Sequence, residues 1–187
     1  MKLLRKNIRP KEIVTRKSLL NAISGVMATG GSTNAVLHLL ALAKESSIRL
    51  SIDDFDRISR KTPVLADLKP SGQFTAPDMH QAGGMPLIAR YLLEAGLLHP
   101  DELTVTGHKL GDEAKLGKET KGQKVIREVS NPLKKTGGLV ILRGNLAPDG
   151  CVMKISGQER TYHRGPARVF DREEDAFSAV KNNKIKS

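Results

Sequence analysis

The sequence predicts an α/β chain, rich in helix up to about residue 120 and mostly β beyond it. Two observations carry this expectation. Apolar residues recur at helical spacing through residues 16–46 and again over 86–95, with one short apolar run at 63–68 between them. After a polar stretch at Lys118–Gln123, short strand-like pieces alternate with glycine and proline turns. That stretch marks the expected boundary between a first domain over 1–120 and a second over 121–187. With 187 residues, 39% of them hydrophobic, the chain has room for one domain or two small ones.

Residues 1–14 read as an extended basic arm, with Pro10 breaking any helix there. Thr15 caps a helix over 16–28. Leu19, Leu20, Ala22, Ile23, Val26 and Met27 form its apolar face, and Lys17, Ser18, Asn21 and Ser24 lie opposite. Gly30-Gly31 breaks that helix, and Ser32 or Thr33 can cap the next, over 33–46. This second helix is apolar almost all round, which predicts burial. Its only polar stripe is Asn34, His38 and Glu45, within a sector of about 40°. Ser51 to Asp54 has capping-box spacing for a short helix to Arg60. Pro63–Leu68 reads as a buried strand and Lys69-Pro70-Ser71-Gly72 as the turn leaving it. Asp78 begins a helical turn that Gly83-Gly84 interrupts. Pro86 then opens a helix to Ala95, which Gly96 stops. Leu103–Gly107 is a strand or cap before a helix at 108–115. Beyond residue 123 the expected strands are Lys124–Val129, Leu139–Leu142, Cys151–Ile155 and Ala167–Phe170. The turns between them fall at Gly137-Gly138, Pro148-Asp149-Gly150 and Gly165-Pro166, and a last helix covers Glu173–Val180.

The formal charge is +11, with clusters before residue 18, along 115–135 and at Lys181, Lys184 and Lys186. A nucleic-acid surface would interleave aromatics with such charge. The chain has only two tyrosines, four phenylalanines and no tryptophan, so the charge reads as a solvated or protein-facing surface and no nucleic-acid partner is expected. No apolar run reaches membrane-span length, the longest being Ala35–Ala43, and no secretory segment is visible; a cytoplasmic location is expected, or an organelle in a eukaryote. The single cysteine, Cys151, excludes an internal disulfide framework and cannot by itself ligate an iron–sulfur cluster. In its strand pattern it reads as a small buried hydrophobe. The five histidines show no zinc spacing, and no metal ligand is assigned. His80 reads as a turn contact and His38 as a hydrogen-bonded core histidine. No nucleotide-binding glycine fingerprint is present.

The site-like feature is Thr29-Gly30-Gly31-Ser32-Thr33-Asn34. Its glycines allow a close, side-chain-free approach, and the start of the next helix offers N–H groups and partial positive charge to an anion. The same pattern also fits a capped core helix.

Six blocks occur in order: GGSTNAVLHLLALA (30–43), DDFDRIS (53–59), PVLADLKPSG (63–72), LTVTG (103–107), NPLKKTGGLVILRGNLAPDG (131–150) and GPARVFDREEDA (165–176). In that order they resemble the dihydroxy-acid dehydratase family, from about residue 8 to the end of the chain. Sugar-acid and 6-phosphogluconate dehydratases share the first and last blocks, while LADLKPSG and NLAPDG look most like the dihydroxy-acid branch. The resemblance implies the end of a three-layer α/β/α domain followed by the start of a β-barrel-like domain. It implies a hydro-lyase that converts small 2,3-dihydroxy acids to 2-oxo acids in valine and isoleucine biosynthesis. An iron–sulfur cluster and magnesium serve the full-length family, which is expected to form homodimers. None of the family's cluster, magnesium or base residues maps onto this sequence, so no catalytic, cofactor-binding or metal residue is assigned, and the chain reads as an internal fragment. Ser32, Thr33 and Asn34 are the candidate substrate or pocket-wall residues. A chain with one cysteine is expected to be inactive alone. The readings that stay open beside this one are a non-catalytic truncated scaffold, a basic binding protein and a sugar-acid dehydratase fragment.

Overall fold

The computed structural model describes residues 2–155 and 162–185; Met1, Lys186 and Ser187 lie outside the described residues. Helices α1 (Lys2–Arg5) and α2 (Pro10–Ile13) are single turns in the N-terminal arm, so the arm is not wholly extended. Pro10 starts α2 instead of preventing it, because the first helical residue needs no N–H partner.

Helix α3 (Arg16–Ala28) begins at Thr15, whose hydroxyl accepts from Ser18 N–H at 3.0 Å while Ser18 Oγ accepts from Thr15 N–H at 2.9 Å. The helix is shared between two cores. Ile23 and Met27, both 0% exposed, pack with Val36, Phe55 and Leu139; Ala28 packs with Leu65, Ala82, Leu87, Ile88 and Leu92. Burying each of the larger side chains contributes roughly 1.5–3 kcal/mol. Asn21 and Ser24, expected on the polar face, are buried, while Ala22 is exposed. The segment 97–99 lies along that face and satisfies them. Asn21 donates to His99 C=O at 2.9 Å and accepts from His99 N–H at 2.8 Å, and Ser24 Oγ donates to Leu97 C=O at 3.2 Å.

Helix α4 (Thr33–Glu45) buries only Val36 and Ala43. Leu37 is 66% and Leu42 50% exposed, so the expected all-round burial does not occur: α3, the helix at 52–59 and the strand at 147–154 cover a single face of α4. Helix α5 (Ile52–Ser59) has the expected capping box between Ser51 and Asp54. Asp54 also receives Arg16 at 2.8 Å and Arg57. Burial works to raise the Asp54 carboxyl, but the Arg16 hydrogen bond, the Ser51 N–H and the charges of Arg16 and Arg57 together outweigh it and hold it below its ordinary value.

Pro63–Leu68 runs extended and largely buried, but as isolated bridges and not a strand. Val64 pairs with Lys134 and Ala66 with Ile126, two separate segments that cannot form a continuous ladder. For the same reason Lys124–Val129 is no strand. Helix α6 (Ala76–Ala82) is capped by Thr75, with Asp78 as its box partner and not its first residue. Helix α7 (Gly84–Glu94) begins two residues before Pro86, which the first turn tolerates, and buries Leu87, Ile88, Tyr91 and Leu92. The Tyr91 hydroxyl donates to Glu119 at 3.0 Å and so ties the polar 118–123 stretch to α7. Burial, then this bond, pushes the phenol up. Leu103–Gly107 forms a tight turn before α8 (Leu110–Lys115), with one bridge between Leu103 and Lys109.

Strands β1 (Leu139–Gly144) and β2 (Ala147–Lys154) form an antiparallel hairpin, the one named sheet among the described residues. Its two-residue turn is Asn145-Leu146, so Pro148-Asp149-Gly150 lies within β2. A two-stranded sheet has only edge strands, where the missing proline N–H is tolerated. Residues 167–169 are exposed and Phe170 is half-buried, none of them pairs in a strand, and Gly165-Pro166 forms no regular turn. Helix α9 (Glu173–Lys181) completes the described elements. The mixture of helix and a small sheet is α/β.

Cys151 is exposed, against expectation. It pairs with Leu142, whereas Val152 pairs with Ile141 and packs on the core; neighbours on a strand point to opposite faces, so Cys151 faces out.

Gly31 has φ +80°, and a Cβ on it would lie 2.7 Å from Leu139 Cγ. Gly31→Val should therefore cost roughly 3 kcal/mol in urea unfolding, while Cys151→Ala should stay within about 0.5 kcal/mol. A larger loss for Cys151→Ala would contradict both assignments. Asp54 titrates lower folded than unfolded, so its contribution is present above roughly pH 4 and disappears as pH falls through the folded value. Asp54→Asn should lose about 2 kcal/mol at pH 7 and differ least from the wild type at pH 3, as read from urea midpoints at both pH values.

Candidate functional site

The turn between α3 and α4 is built by backbone bonds. Gly30 N–H donates to Met27 C=O at 3.3 Å, Gly31 N–H to Val26 C=O at 2.9 Å, and Thr29 Oγ1 to Gly25 C=O at 3.0 Å. Positive φ at Gly30 and Gly31 lets the chain reverse within two residues and start α4 at once. Ser32 occupies the cap position with extended backbone, but its hydroxyl makes no cap bond. The Ser32 C=O accepts from Ala35 N–H at 3.1 Å, the first closure of the helix.

Ser32, Thr33 and Asn34 are thus brought together, all exposed, at a helix start that no side chain caps. Two hydroxyls and an amide beside the positive end of a helix can hydrogen-bond the carboxylate and hydroxyl groups of a small polar acid. His38 and Glu45 continue the polar stripe, also exposed. His38 is therefore not a core histidine: its side of α4 is the uncovered one. An apolar groove of about 250 Å³ lies elsewhere, between α3, α7 and α8, walled by Met85, Leu92 and Leu103 and floored by Ala22 and Gly25. It includes none of the three candidate residues.

The chain cannot by itself hold an iron–sulfur cluster. It has one thiol, and among the described residues no group of three or more His, Cys, Asp or Glu side chains converges. Asp54, the most strongly paired carboxylate, is occupied by Arg16, Arg57 and the Ser51 N–H.

The residue missed by sequence reasoning is Leu139. It sits 1% exposed beneath Gly31, and Ser59 Oγ donates to its carbonyl. Gly137-Gly138 immediately before it is legible in the sequence only as a turn. Its close approach, with Gly137 N–H donating to Ser59 C=O at 2.7 Å, needs the fold to be seen.

These features define a helix-rich α/β chain that presents a glycine-turned helix start to solvent. Profile comparison places it further. The dihydroxy-acid/6-phosphogluconate dehydratase N-terminal family matches residues 1–113, and the corresponding C-terminal family matches residues 124–187. The chain belongs to the dihydroxy-acid/6-phosphogluconate dehydratase family. It is 57% identical over 187 residues to a dihydroxy-acid dehydratase of Koribacter versatilis, covering 100% of this chain and 33% of that protein. It is 58% identical over 179 residues to one of Thermus thermophilus, covering 95% of this chain and 32% of that protein. It is 56% identical over 186 residues to one of Roseiflexus sp., covering 100% of this chain and 33% of that protein. The chain spans about a third of the length of the curated relatives it matches.

Because Cys151 faces solvent, it should react completely with a disulfide reagent such as Ellman's without denaturant. The rate should lie within about tenfold of that in urea. A thiol that reacts only after unfolding would show that the outer face of the hairpin is covered.

Proposed function

We propose that this chain is a segment of a dihydroxy-acid dehydratase, a hydro-lyase of branched-chain amino acid biosynthesis that takes small 2,3-dihydroxy acids to 2-oxo acids. The observation that carries this is identity of 57% across the whole chain to a protein of that name. Residues 1–120 are read as the end of a three-layer α/β/α domain and 121–187 as the opening of a β-barrel-like one. The two family profiles meet between residues 113 and 124, which supports that division. The complete protein is read as a cytoplasmic homodimer without a nucleic-acid partner. No helix among the described residues is long and apolar enough to cross a membrane.

Dehydration breaks the C2–H and C3–O bonds, so it needs a base at C2 and an electrophile at the C3 hydroxyl; the enol formed then becomes the 2-oxo acid. Neither role is assigned to a residue of this chain, and no step through a cluster or magnesium runs through its side chains. Ser32, Thr33 and Asn34 are read as pocket wall, holding the carboxylate or a hydroxyl of the substrate at the start of α4. Their shared exposure there supports the reading. A second reading, a non-catalytic scaffold, is favoured by the single thiol.

The purified chain should be colourless, hold no stoichiometric iron or sulfide, and form no 2-oxo acid from 2,3-dihydroxy-3-methylbutanoate. Titration with that acid should shift the amide signals of Ser32–Asn34. Turnover with a bound cluster would overturn the segment reading, and unmoved amides would overturn the pocket-wall assignment.

A further inference from the structure

We propose that Leu139 is a positioning residue for the Ser32–Asn34 turn, so that the C-terminal family segment sets the shape of the candidate pocket wall on the N-terminal one. The three atoms nearest to a Cβ built on Gly31 all belong to Leu139: Cγ at 2.7 Å, Cδ2 at 3.1 Å and Cδ1 at 3.4 Å. The isobutyl group therefore occupies the space that any side chain at position 31 would take. It does so one residue before Ser32, and at a backbone conformation, φ +80°, that the close approach helps to hold.

Leu139 is itself held at several points. Its side chain belongs to one core with Ile23 and Met27 of α3, Val36 of α4 and Phe55 of α5, so the elements on both sides of the turn share that core with it. Its carbonyl accepts from Ser59 Oγ, and Gly137 N–H donates to Ser59 C=O at 2.7 Å. Ile155 N–H donates to Gly138 C=O at 2.8 Å, which ties the far end of β2 to the same point. A buried wedge fixed by α5 and by the hairpin can transmit its position to the turn it fills, because a packed core resists displacement. The Ser32 hydroxyl makes no cap bond, so in this proposal the wedge beneath Gly31 sets the orientation of the three residues.

The functional meaning of this placement rests on the pocket-wall reading; the placement itself does not, since it is read without ligand. Amide signals of Ser32, Thr33 and Asn34 are compared in the wild type, Leu139→Ala and Val152→Ala. Val152 packs on the same core and is the control for general loosening. Leu139→Ala should move the three signals several-fold more than Val152→Ala, and Leu139→Met should restore most of the shift. Equal displacement by the two alanine variants would overturn the proposal. Should Leu139→Ala not fold, Leu139→Val, which loses both Cδ atoms and keeps a γ carbon, is compared with Val152→Ala and should still move the three signals more.

A double-mutant cycle supplies the second readout. The drop in Tm caused by Gly31→Ala should shrink by about half in the Leu139→Ala background, where the Cγ and both Cδ atoms that the added Cβ would meet are gone. The same drop in both backgrounds would show that backbone strain alone governs position 31, and would overturn the wedge. A positive result here with no response to the dihydroxy acid would leave Leu139 positioning a turn that is not a pocket wall.

Discussion

Helix α3 is the constraint on which the rest of the structure depends. A helix normally presents one apolar stripe, but here Ile23 and Met27 enter one core while Ala28 enters another. Its carbonyl end also anchors a later part of the chain: the Ala28 C=O accepts from both Leu65 N–H at 2.8 Å and Ala66 N–H at 3.1 Å, holding the buried 63–68 segment against the helix end. Asn21 and Ser24 capture the segment that leaves α7. Two cores, one extended segment and one loop are thus registered on thirteen residues of helix, and a polar residue on what looked like the solvent side becomes a structural requirement.

From that helix the chain turns through Gly30-Gly31 into α4, and the turn is possible because two different things are true of Gly31. Its φ is positive, and the space beside it is already filled by Leu139. The first is a local property; the second joins residues more than a hundred positions apart. The family segments that meet here are separate in sequence, yet the core of Ile23, Met27, Val36, Phe55 and Leu139 belongs to both. The candidate residues Ser32–Asn34 sit at this junction, which is where a pocket wall gains from being fixed by two units.

Charge has a narrower role than its total suggests. Arg16 and Arg57 converge on Asp54, Arg143 pairs with Asp53, and Arg60 with Asp56, so α5 gathers much of the paired positive charge of the first core. Only Asp54 among these acids is buried, and only there does the pairing compensate real desolvation; the exposed pairs contribute little. Among the described residues most lysines are exposed.

Local signals determined a good part of this. The cap at Thr15, the box at Ser51 and Asp54, the helix stop at Gly96 and the positive φ at Gly31 depend on residues within a few positions of one another, and each stands where the sequence places it. The blocks that mark the family are equally local. Tertiary structure alone decided which apolar surface is covered. Leu37 and Leu42 are as apolar as Val36, and Cys151 as strand-like as Val152, but each pair is divided by which neighbour lies on which side. It also decided that Pro63–Leu68 would be bridged by two separate segments instead of joining a sheet. Composition and periodicity specify what a segment can bury; only packing between distant parts of the chain specifies what buries it, because that requires the position of a second surface and not the pattern of the first.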